Sequence, residues 1–458
     1  MKAYDLKPTF DNLLYTYCHN VIGRNADIFR FIEILDSIED GCSIALDGNW
    51  GSGKTFFVKQ IKMIMDAHNQ FISHDTDDTA DDIISVRANH YRDKVFDLQP
   101  QVCVYYDAWV NDNDEDPVMS LVYSILQSVD SDFSFRNPNF IKAGASIMEL
   151  FSGRNWTQLI ENLKVSSPLD AVKEHKDMDF LVSRFLKSLL PEKGNRLIVF
   201  VDELDRCKPS YAVRLLERIK HYFSNDSITF VFSVNINELQ HTIRKYYGDD
   251  FNGSRYLDRF FDLRVTLPQP DLQSYYMSLD FNDSHYTYDI VCGTVIKVYH
   301  FELREVAKYL RLSKMAAYTP THEDVYDFSF SDGRAMQFCL LFIVPIMIGL
   351  KISDTKRYSN FIEGKDCTPL IEIAAALPVR MFGYLLDRNE TYDVQKLNQS
   401  IVTVEDKLKL VYDALFATTY GGEIYSVKIG ELQFNEKIKD TLLRICGLLS
   451  RYTKIDVD

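Results

Sequence analysis

This chain has little of what marks a disulfide scaffold, a low-complexity chain or a membrane span. Its eight cysteines (Cys18, Cys42, Cys103, Cys207, Cys292, Cys339, Cys367, Cys446) are scattered and no two form C-x-x-C. Several sit in apolar runs, so reduced, buried thiols in an intracellular protein are expected rather than a disulfide or zinc framework. Glycine and proline number 19 and 13 in 458 residues, with no tract rich in either, which speaks against disorder. The formal charge of −15 weighs against a broad nucleic-acid surface but leaves room for a local basic groove. No apolar run reaches the roughly twenty residues that span a bilayer. The run Phe338–Leu350 has thirteen, and Pro345 is expected to break a helix inside it. It reads as buried core, with a membrane-dipping hairpin as the alternative. Met1 precedes a mixed polar stretch without an apolar signal core, so a cytoplasmic protein is expected.

What the chain does have is Gly48-Asn-Trp-Gly-Ser-Gly-Lys-Thr55, which fits the phosphate-loop pattern G-x-x-x-x-G-K-[ST]. Glycines allow positive φ and a close approach of backbone N–H groups to phosphate oxygens. The expected contacts to a nucleotide run through Asn49, Trp50, Gly51, Ser52, Gly53, Lys54, Thr55 and Phe56. Lys54 reaches the β- and γ-phosphates, and the Thr55 hydroxyl holds Mg2+. Cys42–Leu46 reads as a buried strand before the loop. Phe56, Phe57, Ile61, Ile64 and Met65 recur at helical spacing after it, so a helix N-terminus completes an anion site.

A second element matches the first. Arg196–Val201 is an apolar strand that ends in Asp202-Glu203-Leu204-Asp205-Arg206, a Walker B pattern. Asp202 is expected to serve the metal, and Glu203 to orient and deprotonate an attacking water. Tyr211–Phe223 reads as an amphipathic helix, followed by a buried strand, Ile228–Val234. Asn235, at its tip, is either a sensor of the γ-phosphate or the N-cap of the next helix. Asp262–Leu267 reads as a final strand. Strands alternating with helices predict an α/β fold with a parallel sheet covered on both faces.

Three segments together resemble the KAP family of P-loop ATPases: Gly48–Thr55, Tyr105-Tyr-Asp-Ala-Trp-Val110, and Val201-Asp-Glu-Leu-Asp-Arg-Cys207. Asp107 stands where that family usually has asparagine, Glu203 where it often has aspartate, and Asn235 where aspartate is frequent. The resemblance covers roughly residues 10–310. It implies an additional-strand core that takes ATP and Mg2+, with a long helical insertion between the two nucleotide motifs. About 145 residues separate Thr55 from Asp202, more than a minimal core requires. The expected layout is a nucleotide-binding core over 1–270, an insertion at about 56–195, and a mainly helical lid or interaction region over 271–458. Within the insertion, 117–129 and 178–190 show helical periodicity, and the acidic stretch His74–Asp82 reads as a solvated loop. Many relatives carry membrane spans in the insertion; no apolar run of that length occurs here, so membrane attachment is not expected.

Arg255 and Arg259 follow the sensor-like strand. Each is either an arginine finger offered to a neighbouring subunit or one half of a surface ion pair, Arg255 with Asp258 or Arg259 with Asp262. Arg304 shares a helix face with Lys308 and Arg311; it resembles a sensor-2 arginine, or belongs to a plain solvated basic face. Helices are expected at 338–350, 367–386 (interrupted near Pro378), 404–416 and 431–451. The readings of function are an ATP hydrolase that switches or assembles a complex as a homo-oligomer or with a protein partner, an ATP-binding scaffold without turnover, and an ATP-driven nucleic-acid machine. The acid at Glu203 favours the first, and no helicase, nuclease or zinc-finger pattern supports the last. Bacterial proteins of the resembled family are linked to phage exclusion, which adds antiviral defence as an expectation. No guanine-reading Asn-Lys-x-Asp motif occurs, which favours adenine.

Overall fold

The computed structural model describes residues 7–71, 77–91, 98–114, 116–130, 190, 194–222, 226–279, 281, 287–317, 334–385, 401–421 and 424–447. The chain divides into two compact units, Lys7–Ser274 and Tyr275–Asp458.

The first unit is built on five parallel strands, β1 (Cys42–Asp47), β2 (Gln101–Asp107), β3 (Arg196–Asp202), β4 (Ile228–Val234) and β5 (Leu263–Thr266), in the spatial order β2-β3-β4-β1-β5. Every residue of β3 and β4 is buried, as expected of central parallel strands covered on both faces, and both read as mainly apolar runs. β4 lies between β1 and β3, so the strand before the phosphate loop and the strand bearing Asp202 are not neighbours. Register brings Asp107, Asp202 and Ser233 level, and Asp47 level with Val234. The C-terminal tips of four strands therefore end along one edge, where open α/β sheets bind their ligands.

Helices α1 (Phe10–Cys18), α2 (Asn25–Asp36), α3 (Lys54–His68), α4 (Asp77–His90), α5 (Pro117–Asp130), α6 (Pro209–Tyr222), α7 (Ile236–Tyr247) and the short α8 (Gly253–Leu257) belong to this unit. The core gathers Val104, Tyr106 and Ala108 of the β2 segment with Val118, Leu121 and Ile125 of α5, and with Leu215, Leu216 and Ile219 of α6. Two expectations need correction. The acidic stretch is not all loop, because residues 77–82 open α4. Ala80, Ile83 and Arg87 are buried at helical spacing, and acids in a first turn suit the helix dipole. The span 56–195 is not a single insertion either, since α3 and the edge strand β2 within it are parts of the core. The expected helix at 178–190 lies outside the described residues except for Leu190.

The second unit is mainly helical. It also contains a short antiparallel hairpin, Val427–Ile429 with Leu432–Phe434, that three-residue strands left unreadable in sequence. The expectation about Pro345 is corrected. Helix runs from Arg334 through Ser353, crossing a π turn at Cys339–Ile343 just before the proline. A π turn shifts the backbone hydrogen-bond register, which lets the ring in without a break. This run has 20 residues and is long and apolar enough to cross a membrane, yet 78% of its 18-residue apolar window is buried inside the protein. Gly349 lets it approach the helix Thr287–Val298; a Cβ there would come within 2.5 Å of Val295 Cγ1.

Candidate nucleotide site

The loop Gly48–Gly53 leaves β1 and turns into α3 at the sheet edge. Gly51 and Gly53 have φ of 87° and 91°, a left-handed backbone that costs a side-chain-bearing residue about 1–2 kcal/mol. Gly53 caps α3, so the first N–H groups of that helix open onto the loop. Phe56 buries its ring in the core; what it offers a ligand is its backbone in that first turn. Lys54 is buried, and its Nζ donates to the carbonyls of Gly48 at 2.6 Å and Asn49 at 3.1 Å. Burial pulls its pKa below the usual lysine range, against the opposing pull of Asp205, Asp202 and Glu203. Loop amides at positive φ, a helix N-terminus and a buried ammonium fit a polyphosphate.

Asp202 ends β3 with its carboxylate buried. Its Oδ2 accepts from Tyr105 Oη at 2.9 Å, and its Oδ1 from the Glu203 amide at 3.0 Å. The Lys59 ammonium lies 4.2 Å from the centroid of the Tyr105 ring. Glu203 itself has φ of 60°, a left-handed conformation that is uncommon for a residue with a side chain and that clusters at functional sites. Burial pushes its carboxyl up to about 7, Asp202 adds to the rise, and Arg206 opposes it. Thr55 stands in the first turn of α3, so the hydroxyl and carboxylate donors that a magnesium ion prefers are present at this edge.

Several residues of the site carried no role in the sequence. Asp205 is buried and accepts Trp50 Nε1–H at 2.6 Å and the Asn235 amide at 3.2 Å through Oδ2. Its carboxyl is raised by burial, with the Trp50 hydrogen bond working against the rise. Arg24, just before α2, donates to the Ser52 carbonyl at 2.7 Å and to the Pro268 carbonyl at 2.7 Å, stapling the loop to the chain beyond β5. Asp47 at the tip of β1 accepts the Ile236 amide at 2.9 Å. A buried cation 28 residues before its partner has no local signature. Asp205 and Arg206 stood inside the quoted Val201–Cys207 run.

Of the two readings of Asn235, the cap is realised: Oδ1 accepts the amides of Asn237 at 3.1 Å and Glu238 at 3.3 Å. Arg255 and Arg259 are exposed, and neither expected ion pair is present. Asp258 pairs instead with Arg264, and Asp262 accepts the Ser43 amide at 2.8 Å. Arg304 lies in the second unit, exposed on the same helix face as Lys308 and Arg311.

An additional strand between β1 and β3, with a G-x-x-x-x-G-K-T loop leading from β1 into a helix, defines a P-loop NTPase. The sequence profile of the KAP family P-loop domain matches residues 24–287, and this chain belongs to that family. An uncharacterized protein of Methanocaldococcus jannaschii is 26% identical over 168 residues, covering 27% of this chain and 84% of that protein. The solved ORC2 protein of Aeropyrum pernix (ADPNP and ADP complexes) matches over 86% of this chain and 95% of that one, at 11% identity and a TM-score of 0.30.

Proposed function

We propose that this chain binds Mg-ATP and hydrolyses it, and that the cycle switches or assembles a protein complex. The observation that carries this reading is the meeting, at one sheet edge, of the phosphate loop with Asp202 and Glu203. In it, Lys54 and the loop amides hold the phosphates. Thr55 and Asp202 would hold magnesium, which when bound neutralises phosphate charge. Glu203 takes the proton of a water that attacks the γ-phosphorus as the bond to the bridging oxygen of ADP breaks. Arg255 and Arg259, exposed and outside the ion pairs of the described residues, are then the groups to complete a neighbour's site.

Phosphate release from ATP and GTP tests this reading. Turnover should need magnesium, prefer ATP, and fall at least ~100-fold in Lys54→Ala and Glu203→Gln. ATP binding without turnover at any protein concentration would turn the reading into a scaffold. A role in phage exclusion, which rests on the family resemblance, predicts that plaque formation on a bacterial host carrying the protein recovers with Lys54→Ala.

A further inference from the structure

Glu203 is not oriented by its own backbone alone. Arg206, three residues on, places Nε 2.5 Å from Glu203 Oε2. The guanidinium is itself confined, its carbon 5.9 Å from the Trp50 ring centroid and 5.6 Å from that of Trp109. Those two indoles are 45% and 51% exposed, an unusual placement for two of the three tryptophans in the chain. Hydrophobic burial does not account for them, whereas a cation within reach of both rings does. Trp50 belongs to the phosphate loop and also donates to Asp205. A continuous set of contacts therefore runs from the loop through Trp50 and Arg206 to the carboxylate of Glu203.

We propose that Arg206 is the positioning residue of Glu203, and that Trp50 ties this ion pair to the state of the phosphate loop. A glutamate side chain left to itself samples several rotamers, and a base that strays from its water slows the chemical step without weakening substrate binding. The planar guanidinium fixes Oε2 and leaves Oε1 to accept the proton. Trp109, from the turn after β2, adds a second ring within cation–π range of the same guanidinium. The inference rests on the hydrolytic reading given above and concerns the step in which Glu203 takes part.

The test uses the full chain with Mg-ATP, measuring kcat, KM and the affinity for a fluorescent ATP analogue. Arg206→Gln should lower kcat by about tenfold or more while leaving nucleotide affinity within about threefold. Arg206→Lys, which keeps the charge but not the planar guanidinium, should recover part of the loss. The double variant Glu203→Gln with Arg206→Gln should be no slower than Glu203→Gln alone, because both changes remove one function. Trp109→Leu should lower kcat by about threefold with the same lack of additivity. An additive double variant, a kcat that is unchanged or raised in Arg206→Gln, or a loss of affinity that parallels the loss of kcat would overturn the proposal. If Arg206→Gln fails to fold, Arg206→Lys and Trp109→Leu carry the same comparison. Absence of turnover in the unaltered chain overturns the hydrolytic reading and this inference with it; turnover with additive variants overturns this inference alone.

Discussion

Asp205 shows how a buried acid at this site is satisfied. One carboxylate oxygen serves both the Trp50 indole and the Asn235 amide, so it joins the phosphate loop to the end of β4. Asp205→Ala leaves both donors without that acceptor and should lower stability by about 2 kcal/mol in urea unfolding. Asp205→Asn keeps an acceptor oxygen and should cost about half as much. His68 offers a different residue-scale test. Its Nδ1 lies 2.8 Å from the Ile64 carbonyl and Arg87 Nη1 faces Nε2 at 3.5 Å. Burial lowers its pKa below the ordinary 6.5. Above pH 6.5 the folded and unfolded chains hold equal protons there; below it the unfolded chain takes up the proton first, so stability is lost as pH falls from 6.5 towards the folded value. The melting temperature should therefore decline between pH 7 and 5.5 with a shallower slope in His68→Gln.

At the scale of elements, the loop depends on a residue far from it in sequence. Arg24 holds the Ser52 and Pro268 carbonyls together; Arg24→Ala should weaken nucleotide affinity by about tenfold, read by titration, through a looser loop rather than a lost ligand contact. The long helix of the second unit makes a separate claim. Gly349→Val would push a branched side chain into Val295 and Tyr299, costing about 1–3 kcal/mol in denaturant unfolding, while Gly349→Ala should cost less. Much at this scale was legible in the sequence. The phosphate loop, the strand ending at Asp202 and the strand ending at Val234 are marked by glycine spacing and by mainly apolar runs. What escaped was set by competition. A proline breaks an ordinary helix, but a π turn before Pro345 accommodates it. An acidic stretch reads as loop, but three buried positions turn part of it into α4. Asn235 had two equal uses in the sequence, and the structure shows its side-chain oxygen capping the helix after it.

At the scale of the whole molecule, the exposed arginines Arg255 and Arg259 provide the test of the proposed completion of the site by a second copy. Turnover per chain should rise with protein concentration, and Arg259→Ala should abolish that rise while leaving ATP affinity within about threefold. Mixing Arg259→Ala with Lys54→Ala should restore part of the activity if the arginine works on a neighbour's nucleotide. The sequence by itself determined the class of this protein, because a phosphate cradle needs glycines, a lysine and a threonine at fixed offsets, and a buried parallel strand needs an apolar run ending in the acid it presents. It also determined the family, through three short segments. Only the tertiary structure decided the order of the strands, the burial of Asp205, the reach of Arg24 to Ser52, and the placing of Arg206 within reach of Trp50 and Trp109. Those are contacts between residues distant along the chain, fixed by how helices and strands pack, and no local spacing records them.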